Sequence, residues 1–196
     1  MGSAMVAAPE QMELTDVELV QRFKIGEERV FSMIVDRYST KVLTLCHYFM
    51  KDEHEAYDVS QEVFLKIYRG LGHFRGDAKL STWIHTIAIN TCKNKVSVFR
   101  RLFARRREFD ESLNVEDGAP SPEEDAVSRE RQLIVRREIS LLPVKFREII
   151  ILKDIQNKSY EEIGEVLGIN QGTVKSRLHR ARDALGDRLR RVNAMG

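Results

Sequence analysis

From Val30 onward, apolar side chains recur at Val30, Ile34, Tyr38, Val42, Leu45 and Phe49. Steps of three and four place all six on one face of a helix, whereas a strand would scatter them over both faces. The pattern predicts a helix over about 27–50 with a single core-facing stripe. The same spacing returns at Val59, Val63, Ile67 and Leu71, at Ile84, Ile87, Ala88 and Val96, and at Val174, Leu178, Ala181 and Leu185. No stretch shows a good alternating strand pattern, so the fold class is all-α.

Local signals divide the helices. Thr15 with Glu18 forms a capping box for a short first helix. Asp52 with Glu55 opens another that runs to about Arg69, and Gly70, Gly72 and Gly76 then break the pattern. Ser81 is placed to cap STWIHTIAINTCKNKVSV. The stretch DESLNVEDGAPSPEED has little to bury and cannot offset its ordering entropy, so it reads as a linker. Helical spacing resumes near Ala126, and Pro143 suits the first turn of VKFREIIILKDIQ. Ser159 with Glu162 caps YEEIGEVL, Gly168 can end it in the left-handed conformation, and Asn170 caps the last helix.

The expected organisation is two small helical domains, 12–99 and 127–192, joined by an acidic flexible linker over 100–126. Residues 1–11 read as an expression scar and a loose tail. Domains of this size sit near the lower limit for independent folding, so each core is expected to be small.

Charge is segregated along the chain, although the net charge is only +2. Arg100, Arg101, Arg105, Arg106 and Arg107 form a basic block. Residues 108–130 carry nine acids against Arg129 alone, and residues 171–191 carry seven Lys/Arg against Asp183 and Asp187. Separated fields of this kind mark polyanion binding. Cys46 and Cys92 lack metal-ligand spacing and read as reduced thiols of a cytoplasmic protein. No apolar run reaches the roughly 20 residues that a spanning helix needs, so no direct membrane insertion is expected.

SYEEIGEVLGINQGTVKSRLHRAR is a short helix, a glycine turn and a second helix, the helix-turn-helix layout. With Val174, Leu178, Ala181 and Leu185 turned inward onto Ile163, Val166 and Leu167, the residues Thr173, Ser176, His179 and Arg180 face outward. Arginine can grip guanine with two bonds, and Ser or Thr can donate or accept. Lys175, Arg177 and Arg182 flank that surface and suit phosphates, as do the free amides near Gln171 and Gly172. The competing interpretation is an ordinary solvated cationic helix. The capped preceding helix, Gly168 and the apolar stripe favour DNA binding.

The first half of the chain narrows the class. Asp58, Gln61, Glu62 and Phe64 match D-x-x-Q-E-x-F; Phe74-Arg75-Gly76-Asp77, Thr82-Trp83-Ile84 and Ile87-Ala88-Ile89-Asn90 follow. These motifs resemble region two of the sigma-70 family of RNA polymerase initiation factors, and within it the extracytoplasmic-function group of sigma-E type. LLPVKFREIIILKDIQNKSYEEIGEVLGINQGTVKSRLHRAR resembles region four of the same group. The two blocks occur in the family's order and cover nearly the whole chain.

The resemblance implies a non-enzymatic alternative sigma factor. Asp58, Gln61, Glu62 and Leu65 would hold core RNA polymerase. The segment from Phe74 to Lys95 would bind and open the −10 element, with Lys66, His73, Phe74, Lys79, Trp83, Asn90 and Lys93 as candidate contacts. Unstacked bases need aromatic and amide partners and a cationic track, which these residues supply. Core packing is the competing interpretation of Trp83, and loop anchoring that of Phe74. Thr173, Lys175, Ser176, Arg177, His179 and Arg180 would meet the −35 element; many relatives carry an aromatic at His179 and Arg at Lys175. The implied partners are core polymerase, promoter DNA and an anti-sigma factor, which would be able to hold the chain at the membrane.

Two other classes fit less of the chain. A dimeric helix-turn-helix regulator leaves residues 58–95 unexplained. An enzyme lacks support, because the glycines at 70, 72 and 76 have no phosphate-loop ending and the five histidines have no zinc spacing. No cofactor or metal is expected.

Overall fold

The computed structural model describes residues 14–50, 52–105 and 123–194, and every element among them is helical. The expected tail and the linker residues 106–122 lie outside the described residues. The first domain contains α1 (Asp16–Lys24), α2 (Val30–Phe49), α3 (Glu53–Leu71) and α4 (Leu80–Arg105). The second contains α5 (Glu123–Ser140), α6 (Val144–Ile150), a π-helical segment (Ile151–Ile155), α7 (Tyr160–Leu167) and α8 (Gln171–Asn193).

The stripes read from the sequence are the buried faces. Val30, Ile34, Tyr38, Val42, Leu45 and Phe49 of α2 meet Val59, Val63, Ile67 and Leu71 of α3 in the interior, with Ile84 and Ala88 of α4. Each large aliphatic side chain so buried contributes about 1.5–3 kcal/mol. Cys46 and Cys92 lie in the same core with sulfurs 3.8 Å apart. The contact with Cys46, and then burial, raise the Cys92 thiol well above its ordinary range, which keeps it protonated and unreactive.

Four helix starts behave as their local chemistry dictates. Thr15 and Ser159 form complete capping boxes with Glu18 and Glu162. Asp52 accepts from the Glu55 amide at 2.9 Å and Asn170 from the Thr173 amide at 2.7 Å. Three expectations shift. Helix α2 begins at Val30, after the turn that includes Gly26, and not near Glu27. Ser81 lies inside α4, which already starts at Leu80. Pro143 stands just before α6 and acts as its N-cap, beyond which the chain is free to wind.

The sequence left open whether the two domains pack together; the buried residues of both form one continuous cluster. Ile149, Ile150, Ile151 and Leu152 explain why: all four consecutive side chains are buried. Four neighbours on a helix sweep most of its circumference, so that helix must be covered on all sides. α2 of the first domain supplies the missing cover, lying against both α6 and the π segment. The helix also widens after Ile150, so the expected continuous α-helix over VKFREIIILKDIQ becomes an α-turn followed by a π-turn.

Candidate nucleic-acid interface

The second domain presents a built helix-turn-helix. Gly168 closes α7 at φ +65°, the left-handed region that suits glycine. Gly164 lets the turn fold back closely, since a Cβ there would stand 2.7 Å from the Ile169 carbonyl oxygen. Val174, Leu178 and Ala181 of α8 are buried with Ile163 and Val166 of α7. Lys175, Ser176, His179 and Arg180 are exposed on the other side, with Thr173 and Arg177 half-buried beside them. Arg180 and Ser176 lie along their own helix, with Arg180 Nε donating to the Ser176 carbonyl and the Ser176 hydroxyl to that of Thr173, each at 3.2 Å. His179 approaches Asp183 at 3.5 Å.

Several cations on α8 already have partners within the chain. Arg182 makes two bonds to Asp154, at 2.5 and 3.2 Å. Arg177 reaches the buried Glu148 at 3.2 Å. Lys175 shares the Tyr160 ring with Lys153, at 5.9 and 5.1 Å from its centre. Lys153 and Lys175 thus gather beside Tyr160, the first residue of α7.

In the first domain Asp58, Gln61, Glu62, Leu65 and Lys66 form an exposed row on α3. Steps of three and four keep the row on one face. Lys66 pairs with Glu62 at 2.7 Å and reaches the Thr91 hydroxyl at 3.2 Å. Leu65 and Tyr57 are both 55% exposed, and they border an apolar groove of about 640 Å³ between α2 and α3, floored by Phe31, Val35, Phe64 and Tyr68. Exposed apolar patches rimmed by polar groups mark interaction sites.

The connection between α3 and α4 carries the remaining candidates. Phe74 and Trp83 are half-buried with rings 5.1 Å apart, and Lys24 of α1 donates to the Phe74 carbonyl at 2.6 Å. The pair therefore fixes the loop, whose His73 and Lys79 stand exposed. Asn90 is exposed on α4. Lys93 is half-buried and meets Glu148 at 3.1 Å. Lys93 and Arg177, expected to serve two different DNA elements, thus share one carboxylate.

The sequence reading missed the groups that join the domains. Buried Arg147 donates to the Phe49 carbonyl at 2.7 Å, to that of Leu142 at 3.1 Å and to that of Ser140. Its guanidinium lies 5.6 Å from the Phe49 ring centre. Arg136 donates to the His47 carbonyl at 2.9 Å and pairs with Glu53 at 3.0 Å. Both arginines thereby satisfy carbonyls at the C-terminal end of α2, where the helix dipole favours cations. His85 is buried, and its Nδ1–H donates to the Ser81 carbonyl at 2.5 Å. Burial, with Lys158 and Lys41 nearby, holds its pKa below the ordinary 6.5. A charged pair inside FREIIIL was the available clue, since charges within an apolar run need partners. No group of three or more potential metal ligands occurs among the described residues, nor is any helix there long and apolar enough to cross a membrane.

Comparison with known proteins places both halves. Residues 34–101 match sigma-70 region 2, and residues 132–185 match sigma-70, region 4. The chain is 39% identical to the RNA polymerase sigma-H factor of Pseudomonas aeruginosa over 176 residues, covering 87% of this chain and 91% of that one. It is 38% identical to the ECF RNA polymerase sigma-E factor of Escherichia coli K12 over 183 residues, 90% of this chain and 95% of that one. Among solved structures, its fold is similar to that of CnrH in complex with the cytosolic domain of CnrY, with TM-score 0.64, 22% identity and coverage of 87% and 94% of the two chains. It is also similar to the sigma factor RpoE bound to the anti-sigma factor NepR from Bartonella quintana, with TM-score 0.65, 22% identity and coverage of 82% and 96%.

Proposed function

Because the chain belongs to the extracytoplasmic-function group of the sigma-70 family, the alternative initiation factors of RNA polymerase, we propose a residue-level division of labour. The α3 row of Asp58, Gln61, Glu62 and Leu65 docks on core polymerase. His73, Phe74, Lys79, Trp83, Asn90, Lys66 and Lys93 hold and open the −10 element. Thr173, Lys175, Ser176, Arg177, His179 and Arg180 bind the −35 element. The observation that carries this reading is the pairing, in one chain, of an exposed acidic and apolar row on α3 with the open Ser176–His179–Arg180 surface on α8.

The chemistry follows from these surfaces. Cations on α8 neutralise phosphates while Arg180 and Ser176 meet base edges in the major groove. The amide of Asn90 offers both a donor and an acceptor to a base freed from the stack. Two weak DNA contacts joined through polymerase gain strength from effective concentration. The chain works in the cytoplasm, where polymerase and DNA are. An anti-sigma factor restrains it, as the NepR complex of the structurally similar RpoE supports.

Run-off transcription with purified core polymerase and a promoter library tests the reading. The wild-type chain directs initiation from templates that carry both elements. Arg180→Ala loses roughly 1–3 kcal/mol of upstream-element affinity at fixed salt. Unchanged affinity would remove Arg180 from the interface, and no initiation from any template would refute the function.

A further inference from the structure

Between α3 and α4 the chain runs exposed from Gly72 to Lys79, interrupted by the half-buried Phe74. Gly76 turns there at φ +82°, a conformation open to glycine. Among the described residues no hydrogen bond holds the amides of Arg75, Gly76 or Asp77. A loop so lightly tied samples many shapes, and ordering it on a ligand costs entropy. Its entry is fixed locally. The His73 amide donates to the Gly70 carbonyl at 3.0 Å and the Phe74 amide to that of Leu71 at 3.2 Å. The Phe74 ring lies against Trp83, and Trp83 lies over Gly70, where a Cβ would stand 3.1 Å from its ring.

One more tie arrives from α1. Lys24 donates to the Phe74 carbonyl at 2.6 Å, across 50 residues. α1 is itself held at its start, where Asp16 accepts from Arg37 at 2.7 Å and from the Tyr38 hydroxyl, and the Leu14 carbonyl accepts from Arg37 at 2.6 Å. Near its end, Phe23 meets Tyr68 of α3 edge-on, at 5.4 Å. Lys24 thus projects from a fixed base, and a charged donor makes the stronger kind of hydrogen bond, so its ammonium sets where the Phe74 carbonyl points. A trans peptide directs its C=O and N–H oppositely, so the same bond turns the Arg75 amide away from Lys24.

We propose that Lys24 is a positioning residue for the −10 element: by holding the Phe74 carbonyl, it sets the α3–α4 loop in advance in the shape that receives an unstacked base. The inference rests on the reading of this loop as a −10 contact. A loop ordered before binding does not meet the ordering cost when the base arrives. Sequence preference sharpens for the same reason, because a fixed arrangement of donors and acceptors suits one base better than the rest. Lys24 acts through the backbone and not by touching DNA.

Trp83 is the single tryptophan of the chain, so its fluorescence reports on this loop without a label. In the free full chain, Lys24→Met raises the quenching of Trp83 by acrylamide, because the released loop uncovers the ring. Lys24→Arg keeps a charged donor and leaves quenching at the wild-type level. In run-off transcription by the holoenzyme over a promoter library, Lys24→Met lowers base preference at the most selective −10 position about fivefold, as fits the loss of one exposed hydrogen bond. Preference within the −35 element stays as in wild type, and Lys24→Arg restores the −10 preference. A domain that was merely destabilised would lose output on all templates alike, with both preferences kept. Quenching unchanged in Lys24→Met, or an unchanged −10 preference, overturns the proposal. So does an equal loss on every template with the slope of log affinity against log salt reduced by about 0.9, which marks a direct phosphate contact. Should the wild-type chain start no transcript, the proposed function fails, and the Trp83 measurement, which involves neither polymerase nor promoter, decides by itself whether Lys24 sets the loop.

Discussion

A β-carbon on Gly164 would stand 2.7 Å from the Ile169 carbonyl oxygen, an approach that side chains essentially never make. The neighbour is backbone in the turn that sets α7 against α8, so it cannot rotate away. Gly164→Ala therefore lowers stability by roughly 1–3 kcal/mol, the range for forced overpacking. Denaturant unfolding of the full chain measures it, and an unchanged midpoint would show that the turn tolerates the shift. Gly168 was legible in the sequence because its left-handed role follows from its position after a helix. The need at Gly164 was not, because it depends on where the chain returns five residues later. Trp83 and Phe74 show the same limit. Their aromatic character was plain, but only the folded loop shows them stacked on each other and thereby fixing the segment that bears His73 and Lys79.

At the scale of elements, the buried polar face of α4 makes stability depend on pH. His85 is held below its ordinary pKa of 6.5 chiefly by burial, with Lys158 and Lys41 opposing its charge. His47 shifts the same way through burial and Arg136. A histidine depressed in the folded state gives full stability above its unfolded pKa, and that stability is lost as pH falls through the folded value. Melting temperature therefore drops as pH falls below about 6.5, before the capping carboxylates respond. Glu18 and Glu162, lowered from 4.5 by their capping hydrogen bonds, release their contribution only below that pH. Scanning calorimetry of wild type and His85→Gln from pH 7.5 to 5 checks this; parallel curves would contradict it. Caps and stripes were readable because they are i, i+3 and i, i+4 relations. The π segment and the Arg147 contacts were not, since Arg147 meets Phe49 across 98 residues.

For the whole molecule, the two blocks and their order were visible from motifs, whereas their packing against one another was not. Ile149 to Leu152 are all buried, and α2 of the first domain lies against both segments that carry them. The 17 residues of 106–122 span at most about 60 Å when extended, which permits a closed arrangement and a much wider one. Polymerase is the surface on which the wide arrangement becomes useful, because it holds both DNA contacts in place at once. Docking on polymerase is thus the central claim, and gel filtration of the purified full chain with core RNA polymerase from 0.05 to 0.5 M salt tests it most directly. The account predicts co-elution in a one-to-one complex at low and intermediate salt; separate elution at every salt concentration, with no inhibitor present, would contradict it.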